Sequence, residues 1–71
     1  MNAIDPNFGR EAGVRYKDGA LEVVRQGDFV RCAVTGLRIP MNQLKYWSVT
    51  RQEAYAGPEQ ALQRLRETGT L

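Results

Sequence analysis

A chain of 71 residues with one cysteine and no histidine must fold without a staple. A disulfide needs two thiols, and a structural zinc site needs four Cys or His ligands. A domain this small buries only roughly 60% of the surface its unfolded chain exposes, and most such scaffolds rely on a crosslink or a metal. Here the core has to come from apolar side chains alone, with no metal and no cofactor expected. The candidates are Val14, Tyr16, Leu21, Val23, Val24, Phe29, Val30, Val34, Leu37, Ile39, Leu44, Tyr46, Trp47, Val49, Tyr55, Leu62 and Leu65. They suffice for one small domain over residues 12–68. Residues 1–11 read as a flexible arm interrupted by Pro6 and Gly9, with only Ile4 and Phe8 as anchors.

From Gly13 the pattern becomes strand-like. Val14 and Tyr16 alternate with Arg15 and Lys17. Asp18-Gly19 predicts a two-residue hairpin turn of type I′, since Gly tolerates positive φ. Ala20–Arg25 is the return strand, and Gly27-Asp28 a second turn. Phe29–Val34 predicts a third strand with Val30, Cys32 and Val34 on one face and Phe29, Arg31 and Ala33 on the other. Leu37–Ile39 predicts a short fourth strand ended by Pro40, which has no ladder N–H to give. Thr50-Arg51-Gln52-Glu53 matches a capping box and predicts a helix to about Ala56. Gly57-Pro58 breaks or kinks it, and a second helix follows with Pro58 at its first position, Ala61, Leu62 and Leu65 as its stripe and Gly69 as its stop. The expected class is therefore α+β: a small antiparallel hairpin sheet, then one kinked helix or two short ones.

Two segments have the shape of zinc knuckles, Cys32-Ala33-Val34-Thr35-Gly36 and Tyr46-Trp47-Ser48-Val49-Thr50-Arg51. A zinc-binding version has Cys-x-x-Cys-Gly followed by Tyr-Cys-Ser-x-x-Cys. Only Cys32 stands at a ligand position, while Thr35, Trp47 and Arg51 occupy the other three. The frame is similar to a treble clef or zinc ribbon without its metal, in which the Trp47 ring fills the volume of the lost ion and Arg51 covers it. The competing reading is that Cys32 is a small buried hydrophobe and the frame is only a hairpin followed by a helix.

Phe29-Val30-Arg31-Cys32-Ala33-Val34-Thr35-Gly36, Ile39-Pro40, Leu44-Lys45-Tyr46-Trp47-Ser48-Val49 and Arg51-Gln52-Glu53-Ala54-Tyr55 together resemble a family of small bacterial proteins, domain of unknown function 2093. The resemblance spans about residues 13–65. It implies a bacterial cytoplasmic protein and supplies no catalytic residue to carry over.

Catalysis finds little support in the residues. Without His, the triads and dyads that use a His base are absent. Cys32 could act as a nucleophile only with a lowered pKa, and strand alternation sends its neighbour Arg31 to the opposite face. Asp18, Asp28 and Glu53 read as turn and cap residues. Binding is easier to defend. Net charge is +2, yet between Arg10 and Arg51 eight basic residues face four acidic ones. Arg15, Lys17, Arg31 and Arg38 lie on neighbouring strands, with Tyr16 and Phe29 among them. Such a face can hold phosphates and stack bases, unless alternation turns the aromatics inward. Small hairpin-edge domains equally serve protein partners. The expected function is a non-catalytic binding or adaptor domain, monomeric, with a protein partner ahead of weak nucleic-acid binding. A redox or metal role through Cys32 is the alternative from another class. The Met1–Pro6 segment lacks the basic region and apolar run of a secretory signal, and a lone Cys fits a reducing cytoplasm. No stretch approaches the ~20 apolar residues of a membrane span.

Overall fold

The computed structural model describes residues 9–70, so most of the expected arm lies outside the described residues. Three antiparallel two-stranded sheets form in succession, followed by one helix. Strands β1 (Gly13–Lys17) and β2 (Ala20–Arg25) make the first hairpin, β3 (Phe29–Arg31) and β4 (Arg38–Pro40) the second, and β5 (Tyr46–Ser48) and β6 (Glu53–Tyr55) the third. A single 3-10 turn at Met41–Gln43 links β4 to β5, and α1 runs Pro58–Thr68. The α+β class holds. The helix expected over 50–56 does not form: those residues are a turn and strand β6. Thr50 and Glu53 satisfy the capping-box pattern, but Glu53 instead accepts from the Tyr55 hydroxyl at 3.0 Å and lies 3.2 Å from Arg64. Tyr46-Trp47-Ser48-Val49-Thr50 is rich in aromatic and β-branched residues, which favour a pleated surface.

The first turn also differs in detail. Gly19 sits at φ 74°, whereas Asp18 keeps a negative φ, so the turn is not type I′, which needs both. Val14 pairs with Val23 and Gly13 with Arg25, leaving Val24 as an extra, bulged residue on β2. The end of the expected arm is tied down. The Asp28 N–H donates to the Arg10 carbonyl at 2.7 Å and its carboxylate accepts from the Arg10 N–H at 3.0 Å, while the Ala12 N–H donates to the Phe29 carbonyl at 2.7 Å. Gly27 permits this approach: a Cβ there would stand 2.3 Å from the Ala12 nitrogen.

The core is Ala12, Tyr16, Val30, Cys32, Ile39, Leu44 and Ala54, with Val14, Leu21, Val34, Met41 and Trp47 packed around it. Val30 and Ile39 are register partners and share its side of the second hairpin. Phe29 and Tyr55 are also buried, Tyr55 most deeply. The sheets join through parallel bridges: Glu11 to Phe29, and Cys32 to Ala54. The molecule spans 45 × 22 × 14 Å, little more than the ~10 Å separating two packed layers. So thin a body cannot cover every apolar side chain. Val23, Val24, Leu37, Tyr46, Val49, Leu62 and Leu65, all expected in the core, are exposed.

Helix α1 begins and ends as its sequence predicts. Pro58 occupies the first turn, Gly69 takes the left-handed C-cap at φ 79°, and its N–H donates to the Leu65 carbonyl at 2.7 Å. None of its residues is buried. Arg64 fastens it instead, donating to the Ala33 carbonyl at 2.9 Å and pairing with Glu53 at 3.2 Å.

Candidate functional site

The Cys32–Leu37 turn keeps the outline of a knuckle. The Cys32 N–H donates to the Leu37 carbonyl and the Gly36 N–H to the Cys32 carbonyl, both at 2.9 Å, with Gly36 at φ 77°. The thiol is 2% exposed. Burial by itself raises its pKa, but hydrogen bonds from the Thr35 hydroxyl and from the N–H groups of Thr35, Ala56 and Val34 outweigh that and hold it below its ordinary value. Thr35, at the second position of the expected knuckle, thus serves the sulfur directly, and its oxygen also accepts from the Leu37 N–H at 3.2 Å. Among the described residues no three Cys, His, Asp or Glu side chains converge.

The second expected knuckle has another geometry. Trp47 pairs with Ala54, and Ala54 bridges to Cys32. Trp47 and Cys32 therefore stand on outer lanes with Ala54 between them, about 10 Å apart at two strand spacings. The ring is packed against the core cluster that includes Cys32. It packs 6.3 Å from the Tyr16 ring, and its indole N–H donates to the Lys17 carbonyl at 2.9 Å. Arg51 lies half-buried in the β5–β6 loop, where its backbone N–H donates to the Ser48 hydroxyl at 3.0 Å. The residue that organises this turn is Gln52, in the left-handed region at φ 56°. Its side-chain amide accepts from the Tyr16 N–H at 2.9 Å and donates to the Tyr16 carbonyl at 2.7 Å and the Val49 carbonyl at 2.7 Å. One side chain thereby does what a neighbouring strand would do for β1. Nothing in the sequence marks Gln52 for this role, because the contact spans 36 positions.

The four basic residues divide into two pairs. Arg15 and Lys17 lie on β1, opposite Glu22 and Ala20, and Lys17 pairs with Glu22 at 3.1 Å. Arg31 and Arg38 lie directly opposite each other on β3 and β4. Their guanidinium carbons sit 5.5 Å and 4.7 Å from the centroid of the Phe29 ring. Tyr16 and Phe29 are buried, so neither offers an open face to a base.

Sequence reasoning missed an apolar surface. Tyr46, Val49, Leu62 and Leu65 are 38–45% exposed. Tyr46 and Val49 line an open cleft of about 280 Å³, with Asp18, Gly19, Lys45, Trp47 and Ala61 of α1. Tyr46, Val49, Leu62 and Leu65 read as core by pattern, and the thinness of the body leaves their side chains outside.

Burial first, then the hydrogen bond to Glu53 and its charge, raises the Tyr55 pKa. Burial and the charge of Glu11 raise that of Tyr16. These are features of packing and lie away from any open cleft chemistry.

The sequence profile of a family described as an uncharacterized protein conserved in bacteria (DUF2093) matches residues 23–64, more than half the chain, from β2 into α1. The chain belongs to that family. No curated protein and no solved structure matches it.

Proposed function

We propose that this family member is a non-catalytic binding module that takes a protein partner along the face built by α1 and β5. One observation carries the reading. An 11-residue amphipathic helix buries none of its residues, and Leu62 and Leu65 of its apolar stripe stay 45% and 38% exposed. A helix of this length is marginal from propensity alone and ordinarily draws its stability from burying that stripe. Here Arg64 and Glu53 hold the helix, which leaves the stripe to another surface. Tyr46 and Val49 add apolar area beside it, the mixture of aromatic and aliphatic anchors that partner surfaces use. The buried Tyr16 and Phe29 give nucleic acid less support, and the buried thiol does the same for a redox role. A lone free thiol suits a reducing compartment, which favours the cytoplasm.

The test is a photo-crosslinking amino acid placed at Leu65, with one at exposed Asn42 as control, in cells of a bacterium that encodes the protein. A discrete protein adduct is expected at Leu65 only, resistant to nuclease and abolished by Leu62→Ser. Absence of an adduct, or equal labelling from both positions, would overturn the reading.

A further inference from the structure

We propose that Arg31 and Arg38 form a clamp for a side-chain carboxylate on an acidic segment of a partner protein. The site stands on the second hairpin and is independent of the α1 face. The Cys32 N–H to Leu37 carbonyl bond fixes the alternation of the ladder, making Arg31 and Arg38 a non-hydrogen-bonded pair, where facing side chains come closest. Like charges directly opposite destabilise a hairpin, so this pairing acts against the fold unless something negative lies between. The structure holds both groups in place despite that cost. Phe29 is only 6% exposed yet lies outside the core cluster, and both guanidinium carbons lie over its ring. Arg31 is fixed further by the Gly36 carbonyl at 3.1 Å and by Glu11 at 3.7 Å. Arg38 pairs with no carboxylate among the described residues. Among the described residues no partner engages the Arg38 N–H donors, and their planar fork matches a carboxylate in a two-point contact.

The charge is concentrated at one point rather than spread along a track. Lys17 is already paired with Glu22, and the aromatic beside both arginines among the described residues, Phe29, is buried. A discrete carboxylate fits this better than a polynucleotide backbone. Pro40 has no N–H on the edge of β4, so a bound segment is recognised through its acid groups rather than by strand addition.

The experiment is fluorescence anisotropy at low salt with a labelled peptide of ten glutamates, and in parallel a labelled deoxythymidine oligonucleotide of ten nucleotides. The proteins are the full chain, Arg38→Gln, Arg38→Lys and Arg15→Gln, each checked for folding by circular dichroism. Arg38→Gln is expected to weaken peptide binding about tenfold, equivalent to about 1.4 kcal/mol. Arg38→Lys should recover little, because an ammonium lacks the fork, and Arg15→Gln should change affinity less than about twofold. Equal losses in Arg15→Gln and Arg38→Gln would reduce the site to diffuse charge and overturn the clamp. So would the absence of saturable peptide binding, or tighter oligonucleotide binding with the same dependence on Arg38.

Discussion

The Cys32–Leu37 turn and the Ser48–Glu53 turn sit at equivalent hairpin tips and are held by different means. The first is held through backbone groups and its thiol: Ala33 donates to the Ala54 carbonyl and accepts from Arg64, both at 2.9 Å. Its thiol is served by Thr35, Val34 and Ala56, and its backbone bonds run between Cys32, Gly36 and Leu37. The second is held by reach: Gln52 grips Tyr16 and Trp47 grips Lys17, both on a distant hairpin. A hairpin tip can thus be stabilised through its backbone groups and donors converging on one atom, or by side chains that reach another part of the chain. The two solutions differ in what a single substitution destroys.

The largest effect is expected at Gln52. Gln52→Ala leaves both backbone groups of Tyr16 without partners, and a stranded polar group costs about 1–3 kcal/mol, so a loss of about 2–4 kcal/mol is expected in urea unfolding. Gln52→Gly relieves the φ of 56° but still lacks the amide, so it should regain no more than about 1 kcal/mol. Full recovery by Gly would mean that backbone conformation, not the grip on β1, governs this turn.

At the Cys32–Leu37 turn the expected effects are smaller. Thr35→Val removes the hydroxyl that serves both the thiol and the Leu37 N–H, for about 1 kcal/mol by the same unfolding measurement. A loss as large as that of Gln52→Ala would erase the contrast between the tips.

The turns also differ in pH response. The folded-state pKa of Cys32 is lowered, so its contribution is present above the ordinary thiol value of 9.0 and fades as pH falls through the folded value. Stability should rise slightly with pH toward 9.0, and Cys32→Ala should flatten that rise. Tyr16 and Tyr55 have raised values, so their contribution is complete below 10.0 and is lost as pH climbs through their folded values. Thermal midpoints between pH 7 and 11 would show both limbs. A wild-type curve that falls steadily from pH 7 would contradict the donor arrangement around the thiol.

The smallest effect marks the partner face. Leu62→Ser should change stability by no more than about 0.5 kcal/mol, the range for surface positions. A loss beyond about 2 kcal/mol would show that the helix stripe is packed within the chain.

Local patterns were legible in the sequence wherever neighbours decide them. Alternation put Val30 and Cys32 on one side of the second hairpin and Phe29 with Arg31 on the other, and Pro58 and Gly69 bracketed α1. The misread elements turn on distant partners. Thr50 and Glu53 have capping-box spacing, but Arg64 and Tyr55 claim the carboxylate. Leu62 and Leu65 have a helix-core spacing, and whether a core lies opposite them depends on how thick the whole body is. At the candidate site, Arg31 and Arg38 could be named from composition and strand order. Their seat on Phe29 could not, because it depends on register, which a shift of one residue would invert.

The grip of Gln52 on Tyr16 has a consequence for how copies of this protein can meet. The β1–β2 hairpin has two outer edges, and the β1 edge is already occupied at Tyr16, while the outer edge of β2 pairs with no strand among the described residues. Growth of a fibre requires every added unit to present a fresh edge after docking. A hairpin with one edge sealed offers none: two copies joined through β2 exhaust the available pairing and stop. Releasing Gln52 would open the second edge, so the same amide that fastens the hairpin also sets a ceiling on its assembly.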